Sequence, residues 1–299
     1  MHQPLKNSIE KSVSIIIPAY NSSEFLPAAI ESAILHGRGF SSLRDALRTR
    51  GFANANGQDP QIEIVVVDDG STDDTKAVCD RYPTVTYIYQ SNQGLPGARN
   101  TGIEASRGTY LIFLDADDCL LPDAVKIGVN CLQEHPAAGF VFGRYVFRSI
   151  NPDGSYSTQP LFAEPPPVAS YGTILAAQHN IQCATAMIRR EAIESVGGFP
   201  VGEEDLGLFL RIAREYPIYF HDRVVSEYRY HGGNESSKSV KMLVQTLATH
   251  ELELEYIRGV GNSAPELMAA YESGRAAWIK FYGDRILYDV VRLTQASAI

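Results

Sequence analysis

Four apolar residues run into three carboxylates at Leu111-Ile112-Phe113-Leu114-Asp115-Ala116-Asp117-Asp118. Acids crowded in this way repel one another unless a cation compensates, and an all-oxygen set suits a hard divalent ion such as Mg²⁺ or Mn²⁺. Two more apolar runs end in polar residues. Val13-Ser14-Ile15-Ile16-Ile17 leads to Pro18-Ala19-Tyr20-Asn21, and Ile62 to Val67 leads to Asp68-Asp69-Gly70-Ser71-Thr72-Asp73. Brought together, the three ends can hold a nucleotide. Tyr20 offers a flat surface for a base, Asp68 or Asp69 can accept from a base N–H and ribose hydroxyls, and Asp117 can hold a metal that neutralises a diphosphate.

Convergence requires an open, mostly parallel sheet, in which ligands sit at the carboxyl ends of the strands. The spacing predicts that sheet. The β-branched run from Val13 is a strand stopped by Pro18, and Leu26, Ile30, Ala33 and Ile34 follow at helical intervals behind the capping oxygens of Asn21, Ser22 and Ser23. Strands are expected at Ile62–Val67, Val85–Tyr89, from Leu111, at Phe140–Phe147, near Ala184–Ile188 and at Val224–Tyr230, with helices through Val78, Arg99–Ala105, near Glu191 and Leu206–Arg214. Alternating strands and helices imply an α/β class with βαβ crossovers. Asn151–Ser170, with Pro165-Pro166-Pro167, reads as a surface loop. Beyond Ser239 the pattern is helical, Pro265 opening a second helix. The expected division is residues 1–238 and a helical C-terminal extension, 239–299.

Composition narrows the function. The 299 residues carry a formal net charge of −9 and 44% hydrophobic residues, ample for a core but wrong for broad nucleic-acid binding. Cys79, Cys119, Cys131 and Cys183 lack C-x-x-C spacing, so neither zinc nor a disulfide framework is expected, and their sparseness suits the cytoplasm. The run from Val13 is too short for a signal-peptide core or a membrane span. No G-x-G-x-x-G follows the first strand and there is no Walker A loop, which disfavours dinucleotide and P-loop folds.

Five segments in order resemble the inverting glycosyltransferases of family 2, which have the GT-A fold: Val13–Asn21, Glu63–Asp73, Asn92-Gln-Gly-Leu-Pro-Gly-Ala-Arg-Asn-Thr-Gly102, Gly108–Asp118, and Gly197-Gly-Phe199 with Glu204-Asp205 through Leu210-Arg211. The resemblance spans most of residues 12–235. It implies that Asp68 or Asp69 contacts the uracil or its counterpart, that Asp115 contacts the ribose beside Ala116, and that Asp117 ligates Mn²⁺ or Mg²⁺. Arg99 and Asn100 fall where the family places contacts near the diphosphate or sugar. Asp205 is the implied general base, its neighbour Glu204 holding Arg211 or binding a sugar hydroxyl. His231, in Tyr228-Arg229-Tyr230-His231, ligates the metal or touches the diphosphate in that scheme, and the Gly232-Gly233 loop is a candidate lid.

The implied activity is transfer of a sugar from a nucleotide-sugar donor, UDP-linked by expectation, to a hydroxyl on a glycan, polysaccharide intermediate or glycolipid. An acceptor hydroxyl must lose its proton as it attacks the anomeric carbon, which is the task of the base. A sugar nucleotidyltransferase would want a Gly-rich, basic loop after the first strand, which Pro18-Ala19-Tyr20-Asn21 does not supply. A non-catalytic nucleotide- or carbohydrate-binding subunit would not need both Asp115-x-Asp117 and Glu204-Asp205.

Two stretches depart from the family's pattern. The long segment between Leu35 and Ile62 carries Arg38, Arg44, Arg48 and Arg50 and reads as a solvated insertion or a partner surface. Leu206 and Phe209 occupy the region where relatives often place Trp, which leaves the acceptor pocket open. The apolar stripe of Leu243, Val244, Leu247, Trp278, Tyr282, Ile286 and Val290 suits core packing, a homodimer face or peripheral contact with the inner face of a membrane.

Overall fold

The computed structural model describes residues 12–36, 60–150, 156–160, 168–200, 205–231, 233–261 and 264–296. Glu204 and the four arginines of the Leu35–Ile62 segment lie outside the described residues. The elements are β1 (Ser12–Ala19), α1 (Leu26–His36), β2 (Gln61–Asp68), α2 (Thr75–Cys79), β3 (Val85–Tyr89), α3 (Gly94–Ala105), β4 (Tyr110–Phe113), β5 (Cys119–Leu120), α4 (Ala124–Glu134), β6 (Phe140–Ile150) and β7 (Tyr156–Pro160). They continue with α5 (Tyr171–Leu175), β8 (Ala186–Arg189), α6 (Arg190–Ser195), α7 (Asp205–Glu215), β9 (Ile218–Tyr230), α8 (Ser239–Arg258) and α9 (Ala264–Ala296).

One sheet runs β3-β2-β1-β4-β8-β6-β9-β5, with β7 paired to β6. The first four strands are parallel, and β6 and β9 point the same way because β8 is antiparallel to both β4 and β6. The carboxyl ends of β1, β2, β4 and β9 therefore share one edge. Alternate residues of β1 feed two cores. Val13, Ile15 and Ile17 pack with Leu26, Ile30 and Val125, while Ile16 packs on the other face with Leu111, Phe113, Phe140 and Leu208. A sheet covered on both faces needs such continuous apolar runs.

Two expectations are corrected. Pro18 does not stop β1, which continues through Ala19 in register with Asp68. Ile16 O accepts from Leu114 N, so the missing N–H of Pro18 falls on the β4 side, beyond the last pair, Ile16 with Phe113, where no ladder bond is lost. The Asn151–Ser170 segment is not loop throughout, because β7 forms an antiparallel pair with the end of β6.

The two C-terminal helices join the second core through Ile257 and Tyr271. Glu253, 2% exposed, forms an ion pair with Arg214 and accepts from Tyr171 Oη at 2.7 Å, while Arg214 lies 3.9 Å from the ring centroid of Tyr256. A Cβ on Gly274 would stand 1.8 Å from the carbonyl oxygen of Leu175, so only glycine admits this approach. The predicted apolar stripe is split: Tyr282 is buried, whereas Val244 and Val290 are exposed. No helix among the described residues is long and apolar enough to cross a membrane.

Candidate active site

The loops after β1 and β2 are sewn together. Asn21, in the left-handed region at φ 48°, accepts from Thr72 N at 2.8 Å and donates its own N–H to Ser71 Oγ at 2.9 Å. Asparagine tolerates that conformation better than most side chains. Asp73 accepts from Ser23 N at 2.9 Å and from Thr75 N and Oγ1; although burial opposes ionisation, these bonds hold its carboxyl down to about 2. Tyr20 projects from this lattice, 53% exposed, while Pro18 and Ala19 lie beneath it in the strand.

Asp68 and Asp69 are buried and engaged by neutral donors. Asp68 accepts from Ser71 N at 2.8 Å and Tyr87 Oη at 2.7 Å. Asp69 accepts from Gln90 Nε2, Gln93 N and Gly94 N at 2.7–2.8 Å. It thereby satisfies the first amides of α3, where the helix dipole favours an anion.

The acidic turn after β4 is different. Asp117 Oδ2 accepts from Asn234 Nδ2 at 2.9 Å and lies 3.1 Å from His231 Nε2. Asn234, 4% exposed, also donates to Arg229 O and accepts from His231 N, each at 2.9 Å. The His231 ring stacks on Phe25 with centroids 4.1 Å apart. Ala116 is buried between the two site carboxylates. Asp118 is wholly buried and accepts from Arg229 N at 2.9 Å and from Gln182 Nε2. Burial, with Asp117 and Asp115 nearby, pushes the Asp118 carboxyl well above the usual range.

Asp115, about a third exposed, accepts from Arg99 Nη2 at 2.8 Å, and Arg99 Nη1 reaches Asp205 Oδ1. Burial raises Asp115 to about 6; Arg99 opposes the rise, and Asp205 and Asp117 add to it. Asp205 is the first residue of α7. The Asn100 amide is engaged by backbone: it donates to Phe199 O at 2.9 Å and accepts from Phe199 N at 2.8 Å. Gly198, at φ +75°, lets this pin close, since a Cβ there would stand 2.6 Å from Asn100 Oδ1.

The sheet edge thus brings together Tyr20, Asp115, Asp117, Asp205 and His231. Asn234, Gln182 and Phe25 contact Asp117, Asp118 and His231, and sequence reasoning did not single them out. Asn234 had one visible signal, its place three residues after His231 beyond two glycines. Among the described residues no three His, Cys, Asp or Glu converge as a metal cage. Asp117 Oδ2 and His231 Nε2 do converge, both partly exposed, and a divalent ion that takes its other ligands from a diphosphate and water needs no more from the protein.

A family model described as glycosyl transferase family 2 matches residues 14–197. The match exceeds half of the chain, and the chain belongs to that family. A relative in Escherichia coli, UDP-Glc:alpha-D-GlcNAc-diphosphoundecaprenol beta-1,3-glucosyltransferase WfaP, is 27% identical over 237 residues, covering 78% of this chain and 83% of the relative. Two further curated relatives are matched over only 34% and 21% of their own length. Among solved structures, S. aureus TarS 1-349 in complex with UDP-GlcNAc has a TM-score of 0.65 at 18% identity, covering 90% of this chain and 73% of that one. The mannosyltransferase PcManGT from Pyrobaculum calidifontis, in complex with GDP-Man and Mn²⁺, has a TM-score of 0.62 at 17% identity, covering 97% and 81%. These neighbours show that the fold is GT-A.

Proposed function

We propose that this family 2 member moves a sugar from a nucleoside diphosphate donor, UDP-linked, to a hydroxyl of a glycan or lipid-linked acceptor, with inversion at the anomeric carbon. The observation that carries the reading is the convergence of Asp115, Asp117 and His231 with Asp205 on one sheet edge, although Asp205 lies some ninety residues beyond the acidic turn. The UDP-Glc of the relative's name and the UDP-GlcNAc bound to TarS support UDP, and the relative's diphosphoundecaprenol substrate supports a lipid-linked acceptor.

In this reading Tyr20 stacks on the base, Asp115 accepts from the ribose, and the Asp68 and Asp69 loops wall the base pocket. Asp117 and His231 would hold Mn²⁺ or Mg²⁺, which supplies charge neutralisation to the departing diphosphate. Asp205 takes the acceptor's proton as its oxygen bonds to the anomeric carbon from the face opposite the nucleotide. The bond from that carbon to the diphosphate oxygen breaks with its electron pair on the nucleotide, so the configuration inverts through an oxocarbenium-like state.

Calorimetric titration with UDP, against GDP, CDP and dTDP, with and without Mn²⁺, tests the donor site. The expected result is Mn²⁺-dependent UDP binding that Asp117→Ala abolishes and Asp205→Asn preserves. UDP affinity unchanged in Asp117→Ala would remove the metal assignment, and transfer at the wild-type rate by Asp205→Asn would remove the base.

A further inference from the structure

A residue that binds a diphosphate must meet it, and Arg99 is 1% exposed. Both of its terminal nitrogens are taken, Nη2 by Asp115 and Nη1 by Asp205. Its guanidinium sits 5.0 Å from the ring centroid of Phe199, and Nε has no hydrogen-bond partner among the described residues. We infer that Arg99 is a positioning residue for the transfer step, whose planar fork fixes the base carboxylate of Asp205 against the donor-side carboxylate of Asp115, and that it does not bind the diphosphate. The inference rests on the reading of Asp205 as base.

Three features hold the fork still. Asp69 fixes the start of α3, the next residue, Asn100, is pinned to the backbone of Phe199, and Gly102 sits so close to β1 that a Cβ would stand 2.3 Å from Ile16 Cγ2. These contacts fix the helix on the sheet, and the fork of Arg99 is held by Asp115, Asp205 and the Phe199 ring. Oδ1 of Asp205 faces Arg99, and the buried Cys183 thiol hydrogen-bonds the same carboxylate, so the group is held from two sides. Arginine is required because two carboxylates on different elements need two divergent, coplanar donors; a lysine ammonium is a single point charge on a flexible stem. One cation between two carboxylates leaves the pair net negative, so the edge still attracts a metal.

The test compares Arg99→Lys, Arg99→Met and Asp205→Asn in the full chain. It reads Mn²⁺-dependent UDP affinity by calorimetry, kcat and KM for hydrolysis of UDP-Glc and UDP-GlcNAc with water as acceptor, and thermal unfolding. Arg99→Lys is expected to bind UDP within about threefold of wild type and to lose roughly 10²-fold in kcat, the scale of an ångström's misplacement. Arg99→Met is expected to lose at least as much in kcat as Arg99→Lys, because nothing then spans the two carboxylates. Arg99→Lys retains a charge in the site and decides the matter if Arg99→Met fails to fold.

Wild-type kcat in Arg99→Lys would overturn the inference, as would a loss of UDP affinity beyond tenfold in that variant, which would make Arg99 a diphosphate ligand. The affinity result stands even where hydrolysis is slow. Wild-type turnover by Asp205→Asn would instead sink the base reading, so the two failures are distinguishable.

Discussion

Arg99 and Arg214 begin as similar objects, arginines held in the second core by carboxylates and an aromatic ring, and end with different work. Arg214 meets Glu253, which is sealed at 2% exposure beneath Tyr171 and Tyr256. Arg99 meets two carboxylates that are each more than a quarter exposed to the cleft. A pair of histidines, His231 and His250, repeats the contrast. His231 turns Nε2 toward Asp117, whereas His250 is wholly buried and neither of its ring nitrogens has a hydrogen-bond partner among the described residues. Ion pairs at the catalytic edge are left open to a ligand. The pair of Arg214 with Glu253, which joins a C-terminal helix to the body, is closed, and the helices serve as a brace for α7, whose first residue is Asp205 and whose last turn carries Arg214.

The sharpest way to separate the two regions is Arg214→Met. It leaves Glu253 buried without a cation, and loss of one partner of a buried pair costs about 3–5 kcal/mol. The expected outcome is a fall in melting temperature of roughly 10 °C, on the scale of a few degrees per kcal/mol, with kcat of the folded enzyme unchanged within about twofold. A kcat loss without destabilisation would place Arg214 in the catalytic region.

Acid should strike the brace next. Burial lowers the His250 imidazole to about 4, and Arg275 adds to the effect. The folded state thus resists a proton that the unfolded chain accepts near pH 6.5. The stability contribution is complete above pH 6.5 and is lost as the pH falls toward 4, by about 3 kcal/mol at 1.36 kcal/mol per unit. Urea unfolding at pH 7 and pH 5 would show it, and His250→Leu should flatten the difference. At the catalytic edge, Asn234→Ala is expected to weaken Mn²⁺-dependent UDP binding by about 10–100-fold, the usual scale for a group that orients a metal ligand. Unaltered binding in calorimetry would return Asn234 to a loop-shaping role. The smallest effect belongs to neither region. Lys76→Ala breaks the exposed pair with Asp80 and should change stability by under about 0.5 kcal/mol in chemical denaturation.

The parts of this design that sequence made legible are local ones. Strand ends announce themselves because apolar runs stop at carboxylates, as at Val67-Asp68 and Leu114-Asp115. That legibility brought out β1, β2 and β4 and the edge they share. The partners of those carboxylates were hidden, because Asn234 reaches Asp117 across 117 positions and Gln182 reaches Asp118 across 64. Nothing in a linear string marks an amide side chain as aimed at one acid and not at solvent. Arg99 was visible as a residue but not as a buried one, because its burial comes from Phe199 and the two carboxylates that close over it. The fate of Pro18 turned on which neighbour its missing N–H faced, a property of register that exists only once β4 is paired.

The helix that bears Arg99 also bears on how the molecule folds. In its twelve residues, Gly94–Ala105, it carries Gly97 and Gly102 in its interior, each costing about 1 kcal/mol of helix propensity, and isolated helices of this length are marginal even with good formers. Its first amides depend on Asp69 at the end of β2, and its body on the contact of Gly102 with Ile16 of β1. Such a segment is moulded by the sheet and is no seed for it. In pulse-labelled hydrogen exchange during refolding, its amides should gain protection together with those of β1 and β2 and never ahead of them. A chain still emerging in synthesis therefore carries its acids hydrated and apart, and the catalytic constellation arrives in one late cooperative step.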